Sequence, residues 1–493
     1  MKNLLPFFAI LLLVTGCTVG KESYNPNKKF SPKELQEDYL LFRNILEESH
    51  PSLYWYSSKD SIDHYFETGK SKLNDSLTET KFRNVLSYVL SQIHCGHTTV
   101  RPSKAAIRYA ERAKTRVFPL NIKTWADTVV VTSNLNPGDS NILRGVVLKS
   151  IDGRPVSTII DSLFRHLSSD GYNLTHKYQS LSNAGVFRFM YSSVYGLKTK
   201  IPVAFIDTLG RLKEAELTLS VTGDTGRKKT SQRRPSPSKK EKRKQELQSM
   251  RSLRTDTALN TAFLEVNSFA TGNKLRSFFK RSFRQIRKKN IHNLVVDMRG
   301  NGGGSVMLSN LLTKYIADAA FKIADSLYAI KNKSSYRQYQ SNYFINRLFF
   351  IFLSRKKRDG YYHFSHFENR YFKPRKKNHF SGDTYILIGG NTFSAATLFT
   401  QPLRDQPNVT VVGEETGGGA YGNTAWLIPD VTLPHTKVRF RLPLFRLVID
   451  KNAEKGRGVQ PEVEVVPTVN AIRRNADFKM DKVIEMIKEK QHQ

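Results

Sequence analysis

Apolar residues in SPKELQEDYLLFRNIL recur at helical spacing, at Leu35, Tyr39, Leu40 and Phe42. Ser31 stands where an N-cap belongs and Pro32 at the first helical position, so a helix is predicted to start there. A second amphipathic run, TETKFRNVLSYVLSQI, ends in the turn HCGHTTV. Residues 31–115 are therefore expected to form a small helical unit whose last helix presents a histidine-bearing turn. From Val117 to Val221 the pattern changes to short alternating runs broken by turn residues, with a tight Asp152-Gly153 turn inside GVVLKSIDGRPV. That pattern predicts a strand-rich unit over 116–225.

Beyond residue 258 helical and strand-like patterns alternate. TAFLEV, HNLVVDM, TYILI and NVTVVG read as strands, and NKLRSFFKRSFRQIRKK, VMLSNLLTKYIADA and SAATLFTQPLR as helices. Such alternation predicts βαβ units on a covered, mostly parallel sheet over 259–470, followed by a C-terminal helix at 471–493. Sites in such sheets lie at the C-terminal ends of the strands. The run LFFIFL at 348–353 is too short to span a bilayer and is expected to be a core or capping element.

Charge changes this picture in two places. The chain has 493 residues and a formal net charge of +35. Between Arg227 and Arg254 stand 12 Lys/Arg against two Glu, and between Arg347 and Lys377 stand 10 Lys/Arg against Asp359 and Glu368. The first stretch, rich in Ser, Pro and Lys, has too few apolar groups to offset its ordering entropy, so 226–258 is expected to be a flexible linker. A polyanion-binding role for these segments is the weakest reading, and nucleic acid is not the expected partner. The second stretch has no role legible in the sequence.

At the N-terminus, MKNLLPFFAILLLVTGC has a lysine, a short apolar run and Val14-Thr15-Gly16-Cys17. The run fits a secretory signal over 1–16, and the residues before Cys17 resemble a bacterial lipoprotein cleavage site. Lipidation of Cys17, with 17–30 as a tether, would hold the protein on a membrane in the cell envelope, on the periplasmic side or at the outer membrane. Only Cys95 remains, so no disulfide would form within the mature chain.

Two Gly-rich turns carry the candidate chemistry. Arg299-Gly300-Asn301-Gly302-Gly303-Gly304 offers backbone N–H groups near a helix N-terminus, as an oxyanion hole requires. The spacing fits neither phosphate-loop nor dinucleotide fingerprints. Ser394, in GGNTFSAATLF, sits at a strand-to-helix junction and reads either as a helix N-cap or as a nucleophile on a sharp elbow, with the Ala395 N–H beside it. Cys95 is a minor rival nucleophile because it lies two residues from His97.

NLVVDMRGNGGG, YILIGGNTFSAATLF, VVGEETGGGAYGN and GRGVQPEVEV, in this order after a PDZ-like segment, resemble the C-terminal-processing (tail-specific) serine peptidases, which include the tricorn protease core. The resemblance implies an α/β crotonase-like core with an N-terminal helical cap and a PDZ-like module. It implies cleavage of polypeptides without metal or cofactor. It places the nucleophile on Ser394 and the oxyanion donors on Gly302, Gly303 and Ala395. Where one branch has its catalytic lysine, this chain has Gly419, so the resemblance to the tricorn-like branch assigns the general base to His97 and, by a one-residue shift, an orienting acid to Glu454. The alternative is a catalytically inactive relative that binds peptides through the PDZ-like module and the cleft.

Overall fold

The run Thr261–Val266 and its two successors, Asn293–Asp297 and Asp383–Ile388, are apolar at nearly every position because both faces of these strands are buried. The computed structural model describes residues 24–136, 141–221, 237–368 and 370–492. The predicted signal sequence and Cys17 lie outside the described residues.

The chain builds three cores. In the first, helices α1 (Pro32–Ser49), α2 (Lys59–Lys70) and α3 (Glu79–Ser91) pack around Leu35, Phe42, Phe66 and Phe82, and α4 (Lys104–Arg112) follows. Ser31 caps α1 in a reciprocal capping box with Glu34, which satisfies two otherwise orphan N–H groups. This unit is completed from far along the chain. Val431, Phe440 and Leu442 belong to its core, the Phe440 ring meets Phe42 edge-on at 5.1 Å, and buried Asp38 accepts hydrogen bonds from the Thr436 N–H and hydroxyl.

The second core is an antiparallel sheet of β1 (Leu120–Trp125), β2 (Thr128–Asn134), β3 (Val147–Ile151), β4 (Lys200–Ile206) and β5 (Leu212–Thr218) in spatial order β5-β4-β3-β2-β1. Helices α5 (Val156–Phe164), α6 (Leu174–Ser182) and α7 (Val186–Tyr195) pack with it.

Residues 226–236 of the expected linker lie outside the described residues. Lys239–Met250 is a helix, α8, started by a Ser238–Glu241 capping box, and Arg251–Asp256 is a strand, β6. Charge repulsion along α8 is outweighed by the cap and by the antiparallel pairing of β6 with β7 (Thr261–Val266). From Lys239 onward, a helix and a strand thus stand where a flexible linker was expected over 226–258.

The third core surrounds the sheet that β6 and β7 open. After β7 come α9 (Leu275–Lys288), β8 (Asn293–Asp297), α10 (Val306–Ile316), α11 (Tyr343–Leu353), β9 (Asp383–Ile388), α12 (Ala395–Thr400), β10 (Val409–Gly413) and β11 (Val463–Glu464). Strand order in space is the order in sequence, and β7 to β11 are all parallel. Phe279, Phe283 and Leu312 of α9 and α10 cover one face. The other face is covered by Val483 and Ile487 of α14 (Phe478–Gln491), which follows the short α13 (Val469–Arg474), so the predicted C-terminal helix is two.

The run at 348–353 forms the end of α11, which puts Phe349 and Phe350 against the core and leaves its other apolar residues exposed, so it caps the core rather than lying within it.

Candidate active site

Because β8 and β9 are parallel neighbours, with Asp297 opposite Leu387, the turns leaving their C-terminal ends stand side by side. Hydrogen bonds lock them. The Phe393 N–H donates to the Asn301 carbonyl at 3.0 Å, and the Thr392 hydroxyl to the Met298 carbonyl at 2.9 Å. The buried Asn301 amide donates to the Val266 carbonyl at 2.8 Å and its Oδ1 accepts the Gly303 N–H at 2.9 Å. Arg299 turns away to bridge Asp297 and Asp477, the residue that caps α14, so it anchors the turn from behind.

Ser394 has φ 55° and ψ −120°, a region that non-glycine residues enter only under strain costing about 1–3 kcal/mol. Its side chain caps no N–H of α12, which removes the N-cap reading. It lines a cavity of about 870 Å³ together with Gly304 and Ser305. Close approach forces glycine at Gly303: a Cβ there would sit 2.7 Å from the Ser394 Cβ and 3.0 Å from the Ala395 nitrogen. As the first residue of α12, Ala395 has an N–H with no acceptor inside the helix. Its carbonyl accepts the Ser309 hydroxyl at 2.6 Å, which holds α12 to α10. The Gly302 N–H donates to no group among the described residues, whereas the Gly303 N–H is committed to Asn301. Ala395, next to Ser394, and Gly302, in the turn bonded to it, are therefore donors without another acceptor among the described residues.

His97 reaches the same place from the helical unit. Its ring lies 4.6 Å, centroid to centroid, from Phe393, which also stacks on His176 at 4.8 Å. Both ring nitrogens are buried without a hydrogen-bond partner, an uncommon and costly state for a structural histidine. No hydrogen bond joins His97 to Ser394 among the described residues, and His97 does not line the cavity. The acidic group facing its Nδ1 is Asp170, with an oxygen 3.7 Å away and both side chains almost fully buried.

Asp170 was not legible in the sequence. It lies in the loop between α5 and α6, where Asp170-Gly171 reads only as a turn. Its Oδ1 accepts the Gly96 N–H at 2.8 Å and its Oδ2 the Gly419 N–H at 3.4 Å, while the Gly171 N–H donates to the His94 carbonyl at 2.9 Å. Glu454, the acid expected from the resemblance, is exposed and bonds to no group among the described residues. The next residue, Lys455, donates to the Trp55 carbonyl at 2.7 Å, so this loop docks on the helical unit by its lysine rather than aiming a carboxylate at His97.

Cys95 is buried, and burial raises its thiol to about 11. At neutral pH about one such thiol in ten thousand is ionised, too few for a nucleophile. A Cβ at Gly419 would lie 2.4 Å from the Gly422 carbonyl oxygen, so no lysine fits there. No cluster of metal-ligating side chains occurs among the described residues.

Comparison with known proteins bears on the fold and on the family of the parallel-sheet region. The chain is similar in fold to mature CPAF solved in complex with lactacystin, at 17% identity and a TM-score of 0.65, over 92% of this chain and 98% of that one. A second structure of mature CPAF aligns at 15% identity and a TM-score of 0.63, over 92% and 96% of the two chains. No curated protein matches the chain in sequence. Residues 260–465, which hold β7 to β11, both turns and Ser394, match peptidase family S41.

Proposed function

We infer that the chain is a serine endopeptidase of the cell envelope in which Ser394 is the nucleophile, His97 the general base and Asp170 the acid that orients it. The observation that carries this reading is Ser394 itself: a strained serine whose hydroxyl caps nothing and opens onto a large cavity. Strain of this kind persists only where the surroundings over-determine it, as the locked turns do here.

The Ser394 hydroxyl attacks the scissile carbonyl carbon and His97 takes its proton. The oxyanion that forms accepts hydrogen bonds from Gly302 and Ala395, whose N–H groups are already in place. His97 then returns the proton to the leaving amine, and water hydrolyses the acyl-enzyme by the same route. Asp170 stabilises the transient imidazolium, for which the 3.7 Å separation must shorten by roughly 1 Å to reach hydrogen-bond distance. Catalytic hydrogen bonds are often long in the free enzyme and tighten with substrate bound. The bar on a side chain at Gly419 favours this Ser/His arrangement over Ser/Lys.

The cavity wall, with Phe349, Phe364, Phe367, Trp426 and Leu447, suits polypeptides that place an apolar side chain beside the scissile bond. The helical unit acts as a cap, the central sheet as a PDZ-like module and the parallel sheet as a crotonase-like core. Cys17, once acylated, anchors the chain.

A second reading, an inactive peptide binder, draws on the missing Ser394–His97 hydrogen bond. A fluorophosphonate probe and unfolded casein separate the two. Labelling and cleavage in wild type, both lost in Ser394→Ala and in His97→Ala, establish the peptidase. A folded wild-type protein that retains peptides but takes no label would be the binder.

A further inference from the structure

The outer face of α11 is apolar and uncovered. Phe344, Ile345, Leu348, Ile351 and Phe352 form one stripe at i, i+1, i+4, i+7 and i+8, and Phe344 and Phe352 are 73% and 70% exposed. The inner face is apolar too, with Phe350 stacked on Phe445 and Phe349 edge-on to it. A helix that is hydrophobic all round is normally covered on every side. Here the second cover is missing.

Cations flank the stripe. The hairpin leaving α11 carries Arg355, Lys356 and Arg358, all exposed and in no ion pair among the described residues. Arg355 also lines the cavity alongside Phe352, so charge and apolar surface are contiguous.

We propose that the α11 face and its cationic hairpin dock on the surface of an anionic lipid bilayer. Eleven residues of helix measure about 16 Å, half the hydrocarbon thickness, so α11 lies in the interface and does not cross it. Apolar side chains entering the acyl boundary with Lys and Arg at the headgroups is the arrangement of monotopic helices. A second copy of the chain fits this face less well, because a two-fold contact would bring two unneutralised cation clusters together in the interface. Since Phe352 belongs to both stripe and cavity, docking places the mouth of the cleft at the membrane. This contact is separate from any lipid on Cys17 and does not depend on the chemistry at Ser394.

The test uses the full chain as Cys17→Ser, Ser394→Ala, with Ile345→Cys carrying an environment-sensitive fluorophore. Cys95 is buried and stays unlabelled. A control places the label at Lys488→Cys on α14. With vesicles of phosphatidylcholine containing 30% phosphatidylglycerol, the probe at 345 is expected to shift to the blue and be quenched by nitroxide-bearing lipid, while the probe at 488 does neither. Each interfacial cation is worth about fivefold in partitioning, so Arg355→Ala, Lys356→Ala, Arg358→Ala together should raise the lipid needed for half-saturation on the order of a hundredfold. Any association through the leader is common to both labelled chains and cannot produce the local signal. No response at 345 overturns the proposal, and so does an equal response to neutral vesicles. A blue shift that follows protein concentration without lipid would assign the face to a second copy instead.

Discussion

The two halves of the proposed catalytic arrangement are built in opposite ways. Ser394 and its oxyanion donors come from consecutive parallel strands, and each turn is short, Gly-rich and tied to the next by backbone hydrogen bonds. His97 and Asp170 come from different units, 73 residues apart, and meet only where the cap turn, the α5–α6 loop and Gly419 converge. The nucleophile half is a local motif placed by sheet register. The base half is a junction, whose geometry depends on how three cores settle against one another. Its looser fit, 3.7 Å against the hydrogen bonds of 2.8–3.0 Å that lock the turns, is what a junction awaiting substrate would show.

Substitutions at the nucleophile give the sharpest contrast. Ser394→Ala should lower kcat by roughly 10⁴-fold or more in a casein assay, His97→Ala by a similar factor, and the double variant by no more than either, since the two act as a unit. Ser394→Gly should be equally inactive yet more stable by about 1 kcal/mol in urea unfolding, because glycine tolerates φ 55°. A destabilised Ser394→Gly would mean that the elbow is not strained.

The junction is tested next. Asp170→Asn should cost on the order of 10³-fold in kcat with KM little changed, through loss of imidazolium stabilisation, while Glu454→Gln stays within about twofold of wild type. The reverse ranking would return the orienting role to Glu454.

A smaller effect concerns acid stability of the same junction. His50 accepts or donates a 2.8 Å hydrogen bond with the Thr98 hydroxyl, one residue beyond His97, and burial lowers it to about 3. Below the ordinary histidine range the unfolded chain takes up a proton that the folded chain refuses, so stability falls as pH drops from about 6.5 toward 3. At pH 5 the His50 contribution should be about 2 kcal/mol less than at pH 7, and urea titrations of His50→Gln should show a correspondingly shallower pH slope. His94, His166 and His176 are also lowered by burial and leave a residual slope in that variant. A wild-type stability flat between pH 7 and 5 would contradict the buried neutral imidazole.

The strands of the main sheet and both Gly-rich turns were legible because each is specified over a few residues: continuous apolar runs, glycines at close approaches, a serine at a junction. The helix at Lys239–Met250 was not, since it depends on a two-residue cap and on the pairing of the strand that follows it with a later one. The run at 348–353 read as a core or capping element, and which of these it is depends on which of its faces finds a partner. Asp170 carried no local signal beyond its turn.

By itself, the sequence pointed to the family resemblance, the candidate nucleophile and the alternating strands that bring two turns together, because period, turn chemistry and parallel pairing are local or nearest-neighbour properties. Only the tertiary structure decided which acid faces His97, that Gly303 spends its N–H on Asn301 while Gly302 keeps its own free, and that α11 turns an apolar face outward. Those outcomes follow from packing between cores distant in sequence, where the partner of a side chain is chosen by shape and burial across the whole molecule.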